Sequence, residues 1–196
     1  GKPVDGHAPA LRGELLKKYI DSGISTDHET ITYEEGKEKI QLGMKIIIRE
    51  GSASRQFEEL FPLLMEYPEM CMFCTDDLHP DNLLDGTVRD IFKRALKKGA
   101  DFFDVLQAAS VNPVKHYHLP VGLLQPGDPA DFIIVNNLED LMIETIYING
   151  VRTYDNGTFS FTESKPEIVN NFNCSPKKRD DFYIYSENPI KVIGIQ

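Results

Sequence analysis

One pattern dominates the first half of the chain: a short apolar strand ends in polar residues, and an amphipathic helix follows it. The pattern occurs four times and predicts strands at 2–7, 24–28, 44–48 and 70–75. Strands that alternate with helices pair in parallel, because each helix carries the chain back along the face of the sheet. We therefore expect an α/β fold, either an open doubly wound sheet or half of an eight-stranded barrel.

The helices between the strands are predicted from apolar residues at helical spacing. They are expected at 11–22, 32–42, 53–66, 87–98 and 101–110. Thr32 and Glu35 form the capping-box pattern that opens a helix. Pro62 is expected to kink or split the third helix, because proline has no N–H group to donate.

The sequence changes character after Pro120, where strand patterns follow one another without helices. Strands are predicted at 131–135 and 143–148, and Asn149-Gly150 signals a turn between antiparallel strands. A further unit is predicted to begin at 182–185 and to continue into an apolar stretch at 190–195.

The charge and the composition limit the partners that this chain can have. The formal net charge is −10, which disfavours nucleic-acid backbones and anionic membrane surfaces as partners. No apolar stretch approaches the length of a transmembrane helix. The three cysteines are too few for a disulfide framework and favour a reducing compartment, so we expect a cytoplasmic protein.

Polar side chains that can bind a metal follow the predicted strands, namely His7, His28, Glu50 and Asp76. In parallel α/β folds the carboxyl ends of the strands converge on one mouth. Imidazole nitrogens and carboxylates suit a divalent ion such as zinc, iron or manganese. Their repetition at equivalent strand ends therefore predicts a metal-dependent site.

Each of these residues also has a structural explanation when it is taken alone. His7 could be a buried histidine with satisfied hydrogen bonds, and Asp76 could cap a helix or a turn. The segment 25–29 could be the capped start of a helix, and Arg49 could form a structural ion pair with Glu50. The shared position at the strand ends favours the metal site over these alternatives.

Four motifs occur in order along the chain: DGHAP, STDHE, REGSA and CTDD. Within the longer stretches VDGHAPALRGELLKKYIDSGISTDHE, GMKIIIREGSASR and CTDDLHPDNL, they resemble the adenine deaminase family of the amidohydrolase superfamily. The later motif PGDPAD, followed by a strand, is shared by many amidohydrolases and indicates the superfamily alone. The resemblance covers nearly the whole chain and implies a metal-dependent (β/α)8 barrel, a small β-sandwich and an extra C-terminal domain.

The resemblance also implies that this chain is the second half of such a barrel. Residues 1–120 would contain βα units five to eight, 121–162 a segment of the β-sandwich, and 163–196 a linker and the start of the C-terminal domain. The family's H-x-H motif after the first strand and its bridging carboxylate after the fourth are missing from this sequence. The metal site is therefore expected to be incomplete in this chain.

By the same resemblance, three residues would bind metal. His7 would be the ligand after the fifth barrel strand, and His28 the ligand after the sixth. Asp76, after the eighth strand, would be both a metal ligand and the catalytic acid and base. The cofactor would be a divalent metal in a binuclear site, manganese or iron, with zinc as a further candidate.

The resemblance implies a substrate-facing group as well. Arg49, Glu50 and Ser52 would lie near a purine after the seventh strand, with Glu50 giving a proton to the ring or recognising it. Asp77 would support Asp76 beside the substrate. The implied reaction converts adenine and water to hypoxanthine and ammonia, and the intact protein would be a homodimer.

Two other functions stay open at this point. The chain could belong to another amidohydrolase that cleaves a cyclic amide or an N-acyl group, although the REGSA motif disfavours this. It could also be a non-catalytic fragment, which the missing metal ligands favour.

Overall fold

The computed structural model describes residues 1–84, 86–162, 164–165 and 167–191. The chain divides into two units, Gly1–Phe161 and Thr162–Gln196. Residues 192–195 of the apolar stretch predicted at 190–195 lie outside the described residues.

The first unit begins with a four-stranded sheet in the order β1-β2-β3-β4, with all neighbours parallel. Its strands are β1 (Val4–Gly6), β2 (Ile24–Asp27), β3 (Lys45–Arg49) and β4 (Cys71–Cys74). All four predicted strands are present, and their consecutive parallel order confirms the predicted α/β arrangement. The carboxyl ends of the four strands consequently lie at one edge of the sheet.

Helices follow the strands and cover the sheet. They are α1 (Gly13–Asp21), α2 (Tyr33–Gln41), α3 (Phe57–Glu66), α4 (Val88–Lys97), α5 (Phe102–Leu106) and α6 (Asn112–Tyr117). Pro62 does not split α3, which continues through it as one helix. The helix predicted at 101–110 instead becomes α5, a π-helical turn at Gln107–Val111, and α6. Pro113 lies in the first turn of α6, directly after this π-helical turn.

The capping box predicted from Thr32 and Glu35 is formed only on the Thr32 side. Thr32 Oγ1 accepts a hydrogen bond from Glu35 N at 3.3 Å, as a helix cap does. The Glu35 carboxylate is turned away from the cap, toward Ala10 N and Ile31 N. Tertiary contacts therefore bind the Glu35 side chain, which the local pattern assigned to the helix cap.

The second sheet of this unit is antiparallel, in the order β5-β6-β7-β8. Its strands are β5 (Phe132–Val135), β6 (Ile143–Ile148), β7 (Val151–Asp155) and β8 (Thr158–Phe159). Asn149 and Gly150 have φ values of 50° and 76°, as the two central residues of a tight hairpin turn require. This arrangement confirms the predicted turn and the antiparallel strands.

In the described part of the second unit, Arg179–Phe182 forms a 3₁₀ turn. The residues at 182–185, predicted to begin a further unit, are exposed. None of the helices in the described ranges is long and apolar enough to cross a membrane.

The core of the first unit lies between β3, β4 and the helices, and Leu64 of α3 is fully buried in it. We expect Leu64→Ala to lower the free energy of unfolding by about 2–5 kcal/mol, because the variant loses buried apolar surface and leaves a cavity. Denaturant titration measures this change. Leu84→Ala, at a residue that is 90% exposed, is the control and is expected to change stability little.

Candidate metal centre

The ends of the parallel strands bring the two candidate histidines together. His7 follows β1 directly, and His28 follows β2 directly. Their ring centroids lie 4.4 Å apart, with the ring planes inclined at 65°. The contact depends on the pairing of Gly6 with Asp27, which places the two following residues side by side.

Glu29 completes a group of three potential metal-binding side chains. Donor atoms of His7, His28 and Glu29 all lie within 4.8 Å of one another, and His7 Nδ1 is 3.2 Å from Glu29 Oε1. Two imidazoles and a carboxylate are a donor set that suits zinc, iron or manganese. The STDHE motif places Glu29 next to His28, and the structure adds it to the potential metal ligands.

Asp76 lies at the same edge, in the turn after β4. Its Oδ1 is 4.0 Å from His28 Nε2. Two ligands of one metal, each about 2.1 Å from it, can be at most about 4.2 Å apart. The separation is therefore compatible with one shared ion. Asp76 has a φ of 42°, a left-handed conformation that aspartate tolerates better than most residues.

Arg49 ends β3 and contacts three carboxylates of the site. Its Nη1 is 3.1 Å from Glu29 Oε1, and its Nη2 is 2.7 Å from Asp76 Oδ2 and 3.1 Å from Asp77 Oδ1. Burial lowers the pKa of the guanidinium, but the hydrogen bond to Asp77 and the nearby negative charges outweigh burial and raise the pKa above its ordinary value. Arg49 therefore balances the negative charge that collects at these strand ends.

Asp77 is held against the loop that follows β3. The hydrogen bond from Arg49 keeps the pKa of the Asp77 carboxyl below its ordinary value, and the N–H groups of Ala53 and Ser52 contribute in the same direction. A Cβ atom at Gly51 would collide with Asp77 Oδ1 and lie 3.3 Å from Arg49 Nε. The absence of a side chain at Gly51 thus lets the Asp77 carboxylate approach this loop.

Ser52 connects the loops after β3 and β4. Its Oγ accepts hydrogen bonds from His79 N at 2.9 Å and from Asn82 Nδ2 at 3.1 Å. The serine hydroxyl keeps one proton that it can donate.

The side chain of Glu50 contacts different residues from the side chain of Arg49. Its Oε1 accepts a hydrogen bond from Phe57 N at 3.0 Å, and its Oε2 pairs with Arg94. Arg49 and Glu50 thus bind different partners rather than each other. Glu50 lines a cavity of about 290 Å³ together with Thr75 and Asn82.

A model of the amidohydrolase family matches residues 1–169 of this chain. The chain is 53% identical over 176 residues to an adenine deaminase of Parabacteroides distasonis, covering 90% of this chain and 32% of that protein. It is 52% identical over 182 residues to an adenine deaminase of Methanosarcina mazei, covering 92% and 33%. The chain therefore spans about a third of the length of these relatives.

Solved structures with low sequence identity share the fold. A β-aspartyl dipeptidase of Fervidobacterium islandicum AW-1 in complex with a β-Asp-Leu dipeptide superposes with a TM-score of 0.60 at 16% identity, covering 78% of this chain and 46% of that one. A crystal structure of an amidohydrolase gives a TM-score of 0.51 at 16% identity, covering 77% of this chain and 44% of that one. These similarities support the α/β fold.

The close packing of Gly51 against Asp77 predicts a coupled pair of substitutions. Gly51→Ala is expected to lower the free energy of unfolding by about 1–3 kcal/mol, because the new methyl group displaces the carboxylate. In the Asp77→Ala background the same substitution should lower the free energy of unfolding much less, because the carboxylate that the methyl group would displace is absent. Denaturant titration of the four proteins measures the coupling. Additive effects of the two substitutions would contradict the packing described.

Proposed function

This chain belongs to the amidohydrolase family, and we propose that the full-length protein containing it is an adenine deaminase. The reaction converts adenine and water to hypoxanthine and ammonia. The observation that carries the proposal is the convergence of His7, His28 and Asp76 at one edge of the parallel sheet. The choice of adenine rests on the relatives named adenine deaminase, of which this chain spans about a third.

The strands β1–β4 are proposed to be strands five to eight of a (β/α)8 barrel. Four consecutive parallel βα units support this, and a complete barrel typically takes about 250 residues. Within this proposal, residues 1–120 form the half-barrel and 121–162 a segment of the β-sandwich, while 163–196 form a linker and the start of a C-terminal domain. The full-length protein is proposed to be a cytoplasmic dimer.

His7, His28 and Asp76 are proposed to hold a divalent metal, with Glu29 as an additional nearby donor. The metal is proposed to be manganese or iron in a binuclear site, with zinc as a further candidate, and the full-length protein is proposed to supply the remaining ligands. When bound, such a metal lowers the pKa of water so that hydroxide is available near neutral pH.

Asp76 is proposed to carry protons between water and adenine. Its Oδ2 is held by Arg49 at 2.7 Å, while its Oδ1 faces His28. The Asp76 carboxylate is thereby placed to take the two protons of the attacking water in turn, and to pass the first to a ring nitrogen and the second to the departing amine. Arg49 fixes the orientation of the carboxylate, which favours proton transfer by position.

Arg49, Glu50, Ser52 and Asp77 are proposed to face the purine. Ser52 Oγ can donate its proton to a ring nitrogen while it accepts from the loop after β4. Glu50 is proposed to protonate the ring or to recognise it. Since Glu50 also pairs with Arg94, this role includes a change of partner when adenine binds.

Asp76→Asn in the full-length protein is expected to lower kcat about 10²- to 10⁴-fold, because the amide cannot accept and return the proton. Loss of adenine absorbance measures turnover, and calorimetry should show that adenine still binds. Asp21→Asn, at the exposed end of α1, serves as the control with unchanged turnover. Turnover of Asp76→Asn within a few-fold of wild type would refute the proposed role.

His28→Ala is expected to reduce the metal content of the purified protein, because one proposed ligand is lost. Elemental analysis gives the stoichiometry directly and does not depend on catalysis. His118→Asn is the matched control, since His118 is exposed and asparagine tolerates its left-handed backbone conformation. Unchanged metal content in His28→Ala would rule out the ligand role.

A further inference from the structure

A group of fully buried charges lies directly beneath the two histidines. Lys39 of α2 and Asp27 of β2 both have side chains with 0% exposure, and Lys39 Nζ is 2.7 Å from Asp27 Oδ2. Lys39 also pairs with Glu35, one helical turn earlier on α2. Neither the proposed chemistry nor the packing of the apolar core uses these three residues.

A contribution to stability alone does not explain why these charges are buried. Removing an ammonium and two carboxylates from water is costly, and apolar side chains of similar volume often stabilise a protein as well or better. The arrangement is therefore better explained by what the charges hold in place.

Asp27 and Lys39 hold the main chain next to both histidines. Asp27 Oδ1 accepts hydrogen bonds from Ala8 N at 3.0 Å and from Glu29 N at 3.1 Å. Lys39 Nζ donates to Ala8 O at 2.6 Å. The residue after His7 is thus held by both its N–H and its C=O, and the residue after His28 by its N–H.

Glu35 connects the same two loops one step farther from the histidines. It accepts hydrogen bonds from Ala10 N at 2.8 Å and from Ile31 N at 3.2 Å. Ala10 has a φ of 59°, so the His7 loop contains a left-handed residue that this bond helps to hold.

We propose that Lys39, Asp27 and Glu35 form a positioning group that holds the His7 loop against the His28 loop and thereby sets the distance between the two metal-binding imidazoles. The proposal rests on the proposed function in one respect, that His7 and His28 bind a metal. Lys39 itself touches neither the metal nor the substrate and acts through the backbone of the two loops.

The test is a titration of the metal-free full-length protein with Co²⁺ alone, followed by visible absorption, which reports both affinity and coordination geometry. Lys39→Met keeps the side-chain length and removes the charge. We expect it to weaken Co²⁺ binding roughly 10- to 100-fold and to alter the absorption bands. Glu35→Gln, which keeps the shape of the side chain, is the second variant if Lys39→Met does not fold. It should also weaken Co²⁺ binding and alter the absorption bands.

Two controls distinguish the loss of the positioning contacts from a general change in charge or stability. Lys37→Met makes the same substitution on the same helix, where Lys37 forms a surface pair with Glu66 at 3.0 Å, and should bind Co²⁺ like wild type. Leu64→Ala destabilises the core but should leave the Co²⁺ spectrum unchanged. The proposal is overturned if the folded Lys39 or Glu35 variant keeps wild-type affinity and spectrum, or if Leu64→Ala changes both as strongly.

The same proteins are assayed for adenine turnover, which separates this inference from the proposed function. A wild-type protein that binds Co²⁺ but does not deaminate adenine would refute the function, while a Co²⁺ defect in Lys39→Met would still support the positioning group.

Discussion

Parallel pairing of β1–β4 is the constraint on which the rest of this structure depends. It places four strand ends at one edge, so residues separated by many positions along the chain come within contact distance. His7 meets His28 because Gly6 pairs with Asp27, and Arg49 reaches the turn after β4 because it pairs with Cys74. Strand register thus brings the residues of the site to one edge of the sheet.

The strand ends also collect several carboxylates, and two cations at different depths offset their negative charge. Near the surface of the site, Arg49 contacts Glu29, Asp76 and Asp77. Beneath it, Lys39 contacts Asp27 and Glu35. Both arrangements bind loops together while they neutralise charge, so electrostatic balance and loop geometry are coupled in this part of the molecule.

The outcomes for Glu35 and Glu50 show where local patterns stop being informative. The spacing of Thr32 and Glu35 fits a capping box, yet the Glu35 carboxylate binds two loops and a buried lysine instead. Glu50 stands at a strand end like the histidines, but it contacts Phe57 and Arg94. Both side chains have partners distant along the chain, which spacing cannot reveal. The functional roles assigned to the strand-end residues stay predictions.

The sequence by itself determined the alternation of strands and helices, the antiparallel segment that follows, and the strand-end positions of the two histidines and Asp76, because these depend on short-range periodicity and on repeated motifs. Only the tertiary structure decided that Glu29 joins the histidines, that Arg49 turns to Asp76 and Asp77, and that Lys39 is buried beneath them. Each of these contacts forms between segments that are distant along the chain. A charged side chain that is removed from water pairs with the opposite charge nearest to it in space, and this neighbour cannot be read from the order of the residues.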